Sequence, residues 1–302
     1  MKWQGVLPAI TTPFAPDLSV DLGFLARHAR LLVDEGCAGI VALGSLGEGA
    51  TLSFEEKVAV LRACREALGS RAPVVASVAA LSTAEAVRLA KAAADEGCDG
   101  LMVLPPYVYR GDARETGAHF RAVIGATPLP CMLYNNPIAY GTDVTAGEVA
   151  ALCEDLPNLL AVKESSADVR RVTALRGLLG GRASVLVGVD DLIVEGIEAG
   201  AVGWVAGLVN ALPAESVRLF DLAAAGDAAR ARPLYDWFLP LLRLDTVPKF
   251  VQLIKLVQAE VGLGSEEVRP PRLKLAGPER EAALATIRDA VSRRPVGPAP
   301  RG

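Results

Sequence analysis

The sequence predicts a TIM barrel, a closed (β/α)8 ring of parallel strands, with a three-helix extension at its C-terminal end. Three observations lead there. Eight short runs are apolar throughout instead of alternating, the pattern of parallel strands buried on both faces. Helix-period segments separate them in strict alternation within residues 5–209, which favours a closed barrel over a doubly wound sheet. A unit also repeats: DEGCAGIVALGS (34–45) and DEGCDGLMVLPP (95–106) each read as a helix end, a glycine stop and an apolar strand, and EAGAVGWVAGLVN (198–210) repeats them loosely. The offset of 61 residues fits two βα units of about 30 residues each.

Taken in order, the strands are expected at 5–11, 39–44, 74–80, 100–106, 130–136, 159–165, 184–190 and 203–209, each bounded by turn residues. Between them, 24–35, 54–68, 83–95, 114–124 and 146–155 carry helical periodicity. Beyond Pro213 only helices are expected, at about 213–225, 227–243, 247–261 and 279–292. The division that follows is a barrel with the catalytic site over 1–225, a helical subdomain over 226–294 and a disordered Pro/Gly-rich tail over 295–302.

Composition narrows the function. A net charge of -4 with no basic stripe argues against nucleic acid and acidic membrane surfaces as partners, and leaves a small molecule. No basic segment followed by an apolar one opens the chain, and no apolar run is long enough to span a bilayer, so a cytoplasmic protein is expected. The five cysteines are scattered and never in CxxC spacing, which fits reduced, buried thiols. His28 and His119 are too few for a histidine metal centre and fall in helical segments, so no metal is expected. No GxGxxG follows the first strand and no GxxxxGK[ST] occurs, which weighs against dinucleotide and P-loop readings.

In such a barrel, chemistry sits where the strands end and the loops begin. The sixth run, LLAVKES, ends on Lys163, one of only seven lysines against 24 arginines. A buried lysine must be paired or pushed toward the neutral amine, the form that attacks a carbonyl and makes a Schiff base. An ion pair with Glu164 or another carboxylate is the plainer reading and stays open. Tyr134, at the end of the fifth run in CMLYNNP, is either a core residue or, beside Lys163, a proton shuttle. GSLGEGATLS (44–53) offers glycines, consecutive amides and the Ser45 hydroxyl, a carboxylate-sized anion nest. Its far end also reads as a helix start, with Ser53 as cap and Glu56 completing a capping box. Nest, amine and phenol together suit a 2-oxo acid, with no cofactor required.

GSLGEGATLS, YNNP and VKESS, with the opening GVLPAITTPF and the later LVGVDD, resemble the dihydrodipicolinate synthase and N-acetylneuraminate lyase family of class I Schiff-base aldolases. The resemblance covers nearly the whole chain. It implies that Lys163 forms the imine, that Tyr134 relays protons, and that Ser45 and the Leu46 backbone hold the carboxylate of the 2-oxo acid. It also implies that Gly188 and Val205 line the imine pocket, and that the protein is a homotetramer built as a dimer of dimers.

Departures from the family pattern shape the rest. Leu46 stands where dihydrodipicolinate synthases usually carry a second threonine, and Ala139 where they carry an arginine for the second substrate's carboxylate. Val108, flanked by Tyr107 and Tyr109, takes the place of a tyrosine that reaches a neighbouring subunit. Buried contacts of these kinds are each worth about 1.5–3 kcal/mol. The wording therefore points to the catabolic branch: sugar-acid aldolases or dehydratases, 4-hydroxy-2-oxoglutarate aldolases, or, as YNNPIAYG suggests, pyrroline-4-hydroxy-2-carboxylate deaminases. Condensation of pyruvate with aspartate semialdehyde, with Arg110 replacing the missing arginine, is the alternative activity. A non-catalytic 2-oxo acid binding homologue is the alternative of another class. Tyr140, Arg110 and Leu208 are candidates for shaping substrate choice.

Overall fold

The structure, a computed structural model, describes residues 1–295. Eight parallel strands form one sheet: β1 (Gly5–Pro8), β2 (Ile40–Ala42), β3 (Val74–Val78), β4 (Gly100–Val103), β5 (Cys131–Asn135), β6 (Leu159–Glu164), β7 (Ser184–Val187) and β8 (Gly203–Ala206). From β2 to β8 every strand pairs with its sequence neighbour, and β1 pairs with β8. The Ala9–Val41 bridge and the Ala38 amide bound to the Val6 carbonyl (2.8 Å) join β1 to β2 and complete the ring. This is the TIM barrel expected.

Each strand is shorter than the apolar run that announced it, and almost all the lost residues lie at the C-terminal ends. There the ladder stops while the chain stays buried. Leu43, immediately after β2, turns to φ 67°, and residues such as Ser165 and Gly188 continue inward as the lining of the mouth. Burial alone keeps a run apolar, so periodicity cannot distinguish strand from buried loop.

Around the ring lie α1 (Leu22–Asp34), α2 (Phe54–Leu68), α3 (Thr83–Asp95), α4 (Ala113–Ile124), the single turn α5 (Pro137–Tyr140), α6 (Ala146–Asp155), α7 (Arg170–Leu179), α8 (Ile193–Glu198) and α9 (Pro213–Ala224). They pack one stripe against the strands: α1 buries Leu25, His28, Ala29 and Leu32, and α3 buries Ala86, Leu89, Ala90 and Ala93. The repeated glycines end helices in one way. Gly36, Gly97 and Gly200 have φ of 101°, 74° and 104°, and the residue after each donates back to Leu32, Ala93 and Gly196. A left-handed residue followed by that long return bond is the Schellman stop, which glycine adopts without steric penalty.

Beyond the barrel come α10 (Ala228–Leu242), α11 (Phe250–Glu260) and α12 (Gly277–Ser292), the expected helical extension. The expected disordered tail over 295–302 lies, apart from Pro295, outside the described residues. Within them, no helix is long and apolar enough to cross a membrane. All five cysteines are free and buried, and both histidines are buried in helices.

Candidate active site

Strand register places the two central groups. Tyr134 of β5 pairs with Lys163 of β6, so both point to the same side, while Asn135 and Glu164 pair on the other. The outer pair is closed on itself: Asn135 donates to Glu164 (3.1 Å) and accepts from the Val144 amide, and Glu164 takes the Ser166 amide at 2.7 Å. Burial pushes the Glu164 carboxyl above its usual range. Glu164 is therefore turned away from Lys163, and the plainer reading of that lysine as its ion-pair partner is excluded. The Lys163 nitrogen lies 4.1 Å from the centre of the Tyr134 ring, with no carboxylate within ion-pair distance among the described residues.

The Tyr134 hydroxyl accepts from Asn136 (3.0 Å). Tyr140 meets Tyr134 edge-on, with ring centres 5.7 Å apart, and its hydroxyl is hydrogen-bonded to the Ser45 hydroxyl. Tyr140, proposed above only for substrate choice, thus joins the Ser45 loop to Tyr134. Burial, followed by the neighbouring Tyr134, raises the Tyr140 phenol well above its ordinary value, opposed by the Ser45 contact.

The Ser45 loop leaves backbone donors without partners and is fastened from behind. The amides of Ser45, Leu46 and Gly47 donate to no group among the described residues. Glu48, at φ 52°, is buried and bound to Lys255 Nζ of α11 at 2.6 Å and to the Arg269 amide at 3.0 Å. Lys255 also donates to the carbonyls of Thr12 and Glu267. The capping box of Ser53 and Glu56 is present as well, so loop and cap coexist.

Gly188, directly after β7, leaves room for the lysine: a Cβ there would stand 2.5 Å from Lys163 Cε and 2.0 Å from Ser165 Oγ. Val205 pairs with Leu7 on the inner face of the ring and is buried. Leu208 is fully buried, and what it presents is its amide, donated to Asp190 at 2.8 Å. Ala139 and Arg110 are exposed on the rim, with the Arg110 guanidinium against Gly141. Sequence reasoning passed over Asp190, although it quoted LVGVDD, and it missed Asp245; the charge of Lys163 acts on both. Among the described residues, no three His, Cys, Asp or Glu side chains are grouped to hold a metal.

The Dihydrodipicolinate synthetase family model matches residues 2–290. The 4-hydroxy-tetrahydrodipicolinate synthase of Moorella thermoacetica is 32% identical over 289 residues, spanning 96% of this chain and 99% of that protein. Among solved structures, the 4-hydroxy-tetrahydrodipicolinate synthase of Methylacidiphilum fumariolicum SolV matches with a TM-score of 0.91 at 32% identity, over 97% of this chain and 98% of that one. The chloride-inhibited dihydrodipicolinate synthase of Acinetobacter baumannii, complexed with pyruvate, matches with a TM-score of 0.91 at 31% identity, over 96% and 99%. Fold and relatives define the class, an enzyme of the class I aldolase and lyase type. The chain belongs to the dihydrodipicolinate synthetase family.

Proposed function

We propose that this lyase forms an imine between Lys163 and a small 2-oxo acid, as a cytoplasmic homotetramer in which the 1–225 barrel carries the site and 226–294 braces it. The observation that carries the reading is the Lys163 nitrogen over the Tyr134 ring with no carboxylate partner. A free amine there attacks the C2 carbonyl of the substrate, and the carbinolamine loses water to give the imine. Tyr134 passes the proton to the departing hydroxyl, and Tyr140 and Ser45 extend the relay toward the rim. Ser45 Oγ and the free amides of Ser45 and Leu46 receive the substrate carboxylate, Gly188 leaves space for the lysine stem, and Val205 walls the pocket. The protonated imine then withdraws electrons and labilises a bond further along the substrate; no cofactor enters these steps.

Ala139 and Leu46 favour a catabolic aldolase, dehydratase or pyrroline-4-hydroxy-2-carboxylate deaminase, since an alkyl side chain replaces the guanidinium that would hold a second carboxylate and another replaces the threonine hydroxyl of the family pattern. Condensation of pyruvate with aspartate semialdehyde is the second reading. It is favoured by the Arg110 guanidinium beside Gly141 and by relatives that are named for this activity. Borohydride reduction in the presence of pyruvate, followed by intact mass, tests the imine: an adduct is expected on the wild type and none on Lys163→Met. Rapid turnover of pyruvate with aspartate semialdehyde would select the second reading.

A further inference from the structure

Two carboxylates meet near Lys163, and only one has its hydrogen bonds supplied. Asp190, on the turn after β7, is fully buried and accepts from Trp204 Nε1 (2.9 Å), the Gly207 amide (3.1 Å) and the Leu208 amide (2.8 Å). Those donors suit an ionised carboxylate. Asp245, from the helical turn Arg243–Asp245 after α10, reaches the same glycine: a Cβ on Gly207 would stand 2.2 Å from Asp245 Oδ1. That oxygen is shielded from solvent, and no group among the described residues donates to it. Two carboxyls converging on one glycine do not both ionise readily, and the one without donors keeps the proton. Burial, followed by Asp190, holds Asp245 well above the usual carboxylate range, against the opposing charge of Lys163.

A neutral carboxyl with an unsatisfied oxygen, within the field of the lysine proposed to carry the imine, is equipped to give a proton to substrate. We infer that Asp245 protonates a leaving hydroxyl at C4 of a 4-hydroxy-2-oxo acid held on Lys163, which makes the reaction a dehydration. The inference rests on the imine proposed above. Imine formation acidifies the C3 proton, and Tyr134, which has given its own proton to the departing C2 hydroxyl, takes it to give the enamine. The enamine pair then forms the C3–C4 double bond as the C4–O bond breaks, and the Asp245 proton leaves with the oxygen as water. The proton taken from C3 restores Asp245 through solvent, so the step is redox-neutral and balanced. An acidic pair at this position also repels a distal carboxylate and accommodates a hydroxyl.

Asp245→Asn preserves shape and hydrogen bonding and removes the acidic proton. Trapping with pyruvate, which has no C4, reads imine formation; water loss from a 4-hydroxy-2-oxo acid, followed by NMR, reads elimination. The expected result is a wild-type pyruvate adduct on the variant, with kcat for dehydration lowered about 10²–10³-fold and KM little changed. Wild-type dehydration by the variant would overturn the inference and leave the imine standing. Loss of the pyruvate adduct in the variant would overturn it too, by assigning Asp245 to the surroundings of the lysine. A wild-type enzyme that traps no 2-oxo acid would instead overturn the imine reading itself.

Discussion

Burial does not separate the two inward lysines; their partners do. Lys163 is 6% exposed and Lys255 2%, yet Lys255 is held by a carboxylate and two carbonyls, whereas Lys163 faces a tyrosine ring. An ammonium with three oxygen acceptors is a structural ion, and one without them is available for chemistry. Their removal should differ accordingly. Lys255→Met strands the Glu48 carboxylate in the interior and is expected to lower stability by about 3–5 kcal/mol. Lys163→Met removes a cation that has no ion-pair partner and acts on Asp190 and Asp245 only as a more distant charge, so it should cost clearly less stability. Urea unfolding of the two variants beside the wild type checks this, and equal losses would mean that Lys163 has a structural partner after all. Lys163 was legible in the sequence because it interrupts an apolar run. Lys255 was not, since a helix of the C-terminal extension gives no such contrast.

At the scale of elements, the Ser45 loop depends on helices far along the chain. Glu48 is tied to α11, and α1 packs on the same helix, where Gln258 lies 3.4 Å from His28 Nε2 and bonds Thr11 at 2.9 Å. Burial pushes the His28 imidazole down to about 4 from 6.5, with Asn210 opposing the shift. A base whose folded pKa is depressed binds its proton more readily when unfolded. Stability therefore falls as pH drops from 6.5 toward 4, by about 3 kcal/mol for a shift of this size. Asp190, Asp245 and Glu164 are shifted upward and act in the opposite direction, so the histidine contribution is read by difference. Between pH 7 and pH 4 the wild type should lose about 3 kcal/mol more than His28→Gln in urea unfolding. Equal losses would show that the imidazole charges without penalty in the native state.

For the molecule as a whole, the barrel was readable because strands covered on both faces leave uninterrupted apolar runs, and Tyr134 with Lys163 was readable because polar groups end two adjacent ones. The contacts made across the mouth were not. Ser45 meets Tyr140, and Asp245 meets Gly207, only once the ring has closed and α10 has returned over it. The same closure leaves an apolar rim. Leu81, Val108, Tyr109 and Ile138 follow β3, β4 and β5 and are 69%, 78%, 57% and 71% exposed. Val108 holds φ 74°, uncommon for a β-branched residue and maintained only where its surroundings fix the loop. Large apolar side chains on three consecutive connections at one end of a barrel form the kind of surface that the proposed tetramer would cover. With the tetramer proposed for this enzyme, sedimentation velocity of the wild type should report four chains. Val108→Asp, which buries an unpaired charge in that contact, should shift the distribution to half that mass or less while leaving the circular dichroism of the barrel intact. A wild type that sediments as a single chain would show that the rim is exposed in solution, and the tetramer would have to be abandoned.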